Sequence, residues 1–302
     1  MAETVNDDRI LTQGLARIQG EIDRCFDELL PVPGDARARL VEAMRYAAID
    51  GGKRVRPLLL AATADMFGTD RDSAVRAGCA AEAIHVYSLI HDDLPCMDDD
   101  DLRHGKPTLH RQYDEATAVL AGDALHALAF EILADTRLAG DPFVRADLIA
   151  TLATASGMGG MAGGQMMDMV ADDEDYDLQS VTRLQQLKTG ALLAASVEMG
   201  AILGKVPVEG RGHLRAYARD IGLAFQIADD LLDVEGSPDK AGKALRKDAG
   251  QGKQTFVTLL GVEGARNQAQ ALVDQAVGHL ASYGEDAALL NALARYIVER
   301  DR

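Results

Sequence analysis

SLIHDDLPCMDDDDLRHGKPT, residues 88–108, opens as an apolar helical run and then places six aspartates between Asp92 and Asp101. On a continuous helix Asp92 and Asp98 would lie about 240° apart and face different ways. Pro95 blocks that continuation, because it disfavours helical geometry at Leu94, has no amide hydrogen, and its ring clashes with the preceding turn. The stretch therefore predicts a helix that ends near Leu94 and a chain that bends back to return Asp98 beside Asp92. Two carboxylates so placed can grip one cation. FQIADDLLD, residues 225–233, echoes the pattern: an apolar helical stretch, a pair of aspartates, then a third carboxylate. Asp229 and Asp233 are four apart and share a helical face, and Gln226, three before Asp229, joins them. Two such helix ends could face each other across a bundle.

Outward from these stretches the chain reads as helical. Ala- and Leu-rich segments with apolar spacings of three and four cover roughly 8–29, 35–49, 57–67, 72–93, 114–138, 143–169, 178–203, 210–234, 254–282 and 285–300. All eight prolines fall between these segments or near their first turns, where a missing amide costs no helical bond. Alternating strand patterns are missing, and aromatic residues make up only 4% of the chain. The expectation is an all-α fold: one large single-domain helical bundle spanning all 302 residues. No run of 18 apolar residues is present to span a membrane, and MAETVNDDRI has no signal-peptide pattern, so a cytoplasmic protein is expected. Cys25, Cys79 and Cys96 are scattered without zinc spacing and read as reduced, structural thiols.

A net charge of −17 argues against nucleic acid as a partner. The basic residues nonetheless gather at Lys53–Arg56, at Arg103–Lys106, at Lys188 and between Lys240 and Lys253, a distribution suited to a small anionic ligand. Crowded carboxylates repel one another unless a cation is present, and oxygen-only donors suit a hard ion such as Mg²⁺. Calcium in an EF-hand is excluded, since the loop counted from Asp98 holds Arg103 and Leu109 where Gly and Glu are required. The acidic run 171–177 has no basic neighbours and reads as a solvated loop. Aspartates, Mg²⁺, Lys and Arg together describe a diphosphate site: metal bridges carboxylates to phosphate, and cationic side chains hold the remaining oxygens.

GGKRVRP (51–57), EAIHVYSLIHDDLPCMDDDDLRHGKPT (82–108), AGDAL (121–125), GGQMMD (163–168), KTGAL (188–192), FQIADDLLD (225–233) and the two GK pairs at 242–243 and 252–253 occur in an order and at intervals that resemble the trans-isoprenyl diphosphate synthase family, its bacterial farnesyl diphosphate synthases above all. The resemblance implies one polyprenyl synthetase domain over 1–302, a helical bundle with a deep central cavity, and a homodimer. It implies Mg²⁺-dependent condensation of isopentenyl diphosphate with dimethylallyl or geranyl diphosphate to farnesyl diphosphate, with three Mg²⁺ ions in the substrate complex. Asp92, Asp98 and Asp229 match the principal metal ligands, with Asp93, Asp230 and Asp233 in support. Arg103, Lys188 and Lys243 match residues that hold the allylic diphosphate, and Lys253 is a further cation. Lys53, Arg56 and His85 match the isopentenyl diphosphate pocket, while Thr189 and Gln226 match groups beside the developing carbocation.

Chemistry read from the residues agrees with that implication. Departure of diphosphate leaves an allylic cation, so metal and lysine must stabilise the leaving group most strongly as the bond breaks. Diphosphate itself can take the final proton, which leaves no need for a carboxylate and histidine dyad. Tyr87 lies five residues before Asp92, about 7.5 Å deeper along the helix, where its ring could close the pocket floor; Ser88 is small. In the resembled family an aromatic here goes with a fifteen-carbon product. His104 departs from the family's usual second arginine, and an imidazole makes no two-pronged phosphate contact, so weaker isopentenyl binding at alkaline pH is expected. Lys106 and Arg54 are the cations that could compensate. His91 and His110 read as structural hydrogen-bonding groups, and the glycines of 157–165 as a kink near the cavity, with Gln165 and Asp168 bordering the allylic pocket. The alternatives are a geranylgeranyl or geranyl diphosphate synthase, a terpene cyclase, and a non-catalytic synthase subunit. Two intact aspartate motifs and cations for a second diphosphate argue against the last two.

Overall fold

A computed structural model describes residues 2–171, 174, 176–235 and 254–299, with side chains from residue 6 onward. The candidate cations Lys243 and Lys253 lie outside the described residues. The helices are α1 (Ala2–Leu29), α2 (Ala38–Ala48), α3 (Val55–Asp65), α4 (Arg71–Asp92), α5 (Leu109–Gln112), α6 (Glu115–Ala134), α7 (Pro142–Ser156), α8 (Met161–Val170), α9 (Leu178–Gln185), α10 (Ala191–Leu203), α11 (Gly212–Glu235), α12 (Phe256–His279) and α13 (Ala288–Glu299).

The expected helices are there, with instructive breaks. The segment expected over 143–169 divides into α7 and α8 at the four-residue link 157–160, three of whose residues are glycine, which supports helix interiors poorly. The segment expected over 178–203 is interrupted by a π-helical turn, Gln186–Gly190. Such turns insert one residue into the helical ladder and displace the side chains on either side of it. Strand was not expected, yet Leu102–Arg103 and Lys106–Pro107 form a two-stranded antiparallel ladder. Its loop is His104-Gly105, both with positive φ (52° and 76°), the geometry of a tight hairpin turn matched to strand twist. Asp177, in the acidic run read as a solvated loop, accepts the Ser180 amide at 2.8 Å and so caps the start of α9.

α4 is the centre of the bundle. Ala74, Ala77, Ala80, Ala81, Ala83 and Ile84 along it are wholly buried, which small side chains permit by letting neighbouring helices approach. α3 and α6 pack on it, α10 packs on α3, α7 and α11, and α11 packs along α12. Gly200 of α10 shows how close these approaches are, since a Cβ there would sit 2.5 Å from the Leu60 carbonyl oxygen of α3. Among the described residues, one helix, α6, is long and apolar enough to cross a membrane; half of its most apolar window is buried inside the bundle.

Candidate active site

The bend at Pro95 forms as the sequence implies. The Asp98 amide donates to the Asp92 carbonyl oxygen at 2.8 Å, and the Met97 and Asp99 amides both return to the Leu94 carbonyl at 2.8 and 3.2 Å. These bonds replace the helical partners that Pro95 removes, and they carry Asp98 back to the end of α4. Burial and the adjacent Asp98 push the Asp92 carboxyl up to about 6, while Lys188 pulls the other way. The donors at this corner are oxygen only and repel one another, which is the chemistry of a site for a hard divalent cation. Asp229 and Asp233 offer half-buried carboxylates from α11. Among the described residues, no three carboxylate, imidazole or thiol groups converge closely enough to define a metal site by themselves.

Two of the aspartates expected as supporting ligands have structural partners. Asp93 is buried and accepts from Arg103 Nε at both oxygens, at 2.8 and 2.9 Å. That bidentate pair fixes Arg103 at the mouth of the site, with Asp100 3.6 Å away. Asp230 is buried and accepts the Phe256 amide at 2.8 Å, which satisfies a first-turn donor of α12.

Opposite Asp92 stands Lys188, held in the π-turn. Burial works against its charge, but Asp168, which it contacts directly, and then Asp92 and Asp98 outweigh that cost and raise its pKa. The approach of α8 that brings Asp168 there requires glycine at 164, where a Cβ would meet the Lys188 amide nitrogen at 2.2 Å. Behind Asp92 and Lys188 opens a cavity of about 300 Å³. Arg56, His85, Ser88, Gln165 and Thr189 give it polar edges, and Tyr87, Leu89, Met97, Met161, Met166 and Met169 its apolar wall. Tyr87 stands edge-on to the rings of His91 (5.7 Å) and His126 of α6 (5.0 Å), and His126 in turn meets Phe130 at 5.3 Å. The ring at the expected floor is thus braced from a second helix.

α4 separates this cavity from a smaller one of about 80 Å³ lined by Gly52, Arg54, Glu82, His85, Asp93, Arg103, His104 and Lys106. His85 and Leu89 line both. Burial, then Arg56, Arg103 and His104, hold the His85 imidazole well below the usual histidine range, so it is neutral at pH 7. Lys53 is exposed, its Nζ 5.9 Å from the centre of the Tyr296 ring. Arg56 reaches the larger cavity, with burial lowering its pKa against the attraction of Glu82 and Asp229. It therefore feels a carboxylate from the middle of α4 and one from the acidic end of α11.

Arg54, one of the two compensating cations suggested by the sequence, is committed elsewhere: it is buried and donates to Glu82 and Asp23 at 2.9 and 2.7 Å. Burial first, then Arg103 and Arg54, lower the pKa of His104 below the usual histidine value. Its proton is lost before neutrality, which moves the expected pH window downward. The KM for isopentenyl diphosphate in wild type, relative to His104→Arg, should be level between about pH 7.5 and 8.5 and improve only below about pH 6.5. At pH 8 the arginine variant should bind about fivefold more tightly, and equal KM values there would remove any phosphate role for this position.

His91 Nε2 lies 3.1 Å from the Val119 carbonyl oxygen of α6, and His110 Nδ1 lies 3.3 Å from Thr108 Oγ1, both structural contacts. Sequence reasoning did not single out Glu82, His126 or the Lys188–Asp168 pair. Glu82 carries a signal, since it is the single carboxylate between Asp72 and Asp92 of α4; His126 carries none.

Residues 37–293 match the model of the polyprenyl synthetase family. The chain is 46% identical over 271 residues to the farnesyl diphosphate synthase of Escherichia coli K12, covering 87% of this chain and 90% of that protein. It is 45% identical over 276 residues to the chloroplastic geranylgeranyl pyrophosphate synthase 11 of Arabidopsis thaliana, covering 89% and 77%. Among solved structures, an FPP/GFPP synthase from Zymomonas mobilis superposes with a TM-score of 0.87 at 56% identity, covering 98% of this chain and 99% of the other.

Proposed function

Because this chain belongs to the polyprenyl synthetase family, we propose that it extends allylic diphosphates with isopentenyl diphosphate, using Mg²⁺, and that its main product is farnesyl diphosphate. The observation that carries this reading is the pair of cavities on either side of α4, one apolar and floored by Tyr87, the other rimmed by cations, which share His85 and Leu89. An allylic chain fits the first with its diphosphate at Asp92, Asp98, Lys188 and Arg103. Isopentenyl diphosphate fits the second, against the wall shared through His85, where Arg56 reaches from the larger cavity, with its alkene directed past Leu89.

Asp92 and Asp98 from one side, and Asp229 with Asp233 from the other, would hold Mg²⁺, three ions in the full substrate complex. The metal supplies charge neutralisation of the allylic diphosphate. Lys188 and Arg103 bind the oxygens that gain charge as the allylic C–O bond breaks. Thr189 and Gln226 present polar atoms near the resulting cation, and the methionine wall keeps water from it. The isopentenyl alkene then forms the new carbon–carbon bond, and the proton lost from its C2 passes to the departed diphosphate. No side chain need act as base, consistent with a neutral His85 that, among the described residues, has no carboxylate in hydrogen-bond contact.

A longer product is the second reading, favoured by the 56%-identical Zymomonas mobilis neighbour whose description names both FPP and GFPP. Incubation with isopentenyl diphosphate and dimethylallyl or geranyl diphosphate, with and without Mg²⁺, followed by chromatography of the dephosphorylated products, decides between them. Mg²⁺-dependent farnesol is expected; no condensation with either starter defeats the proposal. A homodimer belongs to the same reading, and a single-chain mass in solution would remove it.

A further inference from the structure

The GGKRVRP turn contains three cations with three different fates. Lys53 is exposed, Arg56 enters the larger cavity, and Arg54 between them points into the core with 2% of its surface exposed. Its guanidinium donates to Glu82 Oε1 at 2.9 Å, to Asp23 Oδ1 at 2.7 Å and to the Ala48 carbonyl, and lies 6.0 Å from the Phe26 ring. Arg54 also has left-handed backbone geometry, φ 53° and ψ 37°, immediately before α3 begins. Non-glycine residues avoid that region, and such a conformation persists only where the surroundings over-determine it. Three anchors on one buried guanidinium do so here.

Glu82 completes the arrangement. It is 3% exposed, sits three residues before His85 on α4, and lines the basic cavity. The same carboxylate holds Arg54 by contact and attracts Arg56 through space. We propose that Arg54 and Glu82 are positioning residues for isopentenyl diphosphate: their buried ion pair locks the 51–57 turn so that Lys53 faces outward and Arg56 reaches the cavity wall that His85 shares. This rests on the functional reading above. Both side chains line the smaller cavity, but Arg54 Nη1 and Nη2 are committed to Glu82, Asp23 and the Ala48 carbonyl, so the pair acts through the backbone from which Lys53 and Arg56 project.

A buried ion pair could instead serve stability alone, and the test separates the two. Glu82→Gln should raise the KM for isopentenyl diphosphate about tenfold while the KM for geranyl diphosphate stays within about twofold. The double variant Arg54→Met/Glu82→Met strands no charge of this pair, and Asp23, with 18% of its side chain exposed, keeps solvent. Its Tm should return toward wild type, because apolar replacement of both partners is often neutral, whereas its isopentenyl KM should stay raised. Recovery of KM together with Tm would overturn the positioning role. So would equal increases in KM for both substrates. A wild-type enzyme that condenses nothing would bring down the functional reading and this inference with it, and that failure is visible before any variant is made.

Discussion

Asp92→Asn is expected to reduce kcat/KM for condensation by about 10³-fold and, in the ligand-free protein, to raise Tm by about 3 °C. Both effects have one cause. Burial, with Asp98 close by, pushes the Asp92 carboxyl up to about 6, against an ordinary value near 4 in the unfolded chain. The folded state therefore holds this proton more tightly than the unfolded state does. Stability that is present below about pH 4 is lost as pH rises toward 6, and the full cost stands at neutral pH. An amide of the same shape removes the cost and, with it, the charge that would bind a divalent cation and the allylic diphosphate. Mg²⁺ with inorganic diphosphate should raise the Tm of wild type and leave the variant nearly unmoved. Calorimetry and steady-state kinetics on both proteins check this. A variant within tenfold of wild-type kcat/KM, or one with a lower Tm, would sink the argument.

Tyr87→Ala is expected to shift the main product from fifteen carbons to twenty or more. The ring lies about 7.5 Å below Asp92 along α4, where a growing chain anchored by its diphosphate would meet it. It does not stand alone, because His91 and His126 brace it edge-on at 5.7 and 5.0 Å. A braced ring cannot swing aside at small cost, so the floor stays closed to a longer chain. Alanine opens the space beneath, and Ser88 is too small to close it again. Turnover to the first condensation product should change little, since the reacting atoms lie at the other end of the cavity. Chromatography of dephosphorylated products measures the shift, and an unchanged farnesol profile would take the floor away from Tyr87.

What the sequence by itself determined is local. The helices follow from apolar spacing and from prolines that fall outside helix interiors. The bend after Leu94 follows from a proline that a continuing helix does not accept, and it delivers Asp98 to Asp92 through a backbone bond of 2.8 Å. Asp229, Asp233 and Gln226 were legible because residues three and four apart on one helix share a face whatever surrounds them, whereas Lys188 and the GGKRVRP cations stood out as basic clusters in an acidic chain and took their roles from the resemblance of their motifs. The residues around them were not legible. Spacing does not say that Asp93 accepts from Arg103, that Asp230 accepts the Phe256 amide, or that α8 approaches Lys188 through Gly164. Nor does it say that the middle cation of three, Arg54, turns inward to Glu82 and Asp23, 28 and 31 residues away in the chain, so that it is lost as a substitute for His104. A charge is worth what its neighbours and its burial make it, and both are settled only when α1, α3 and α4 pack together.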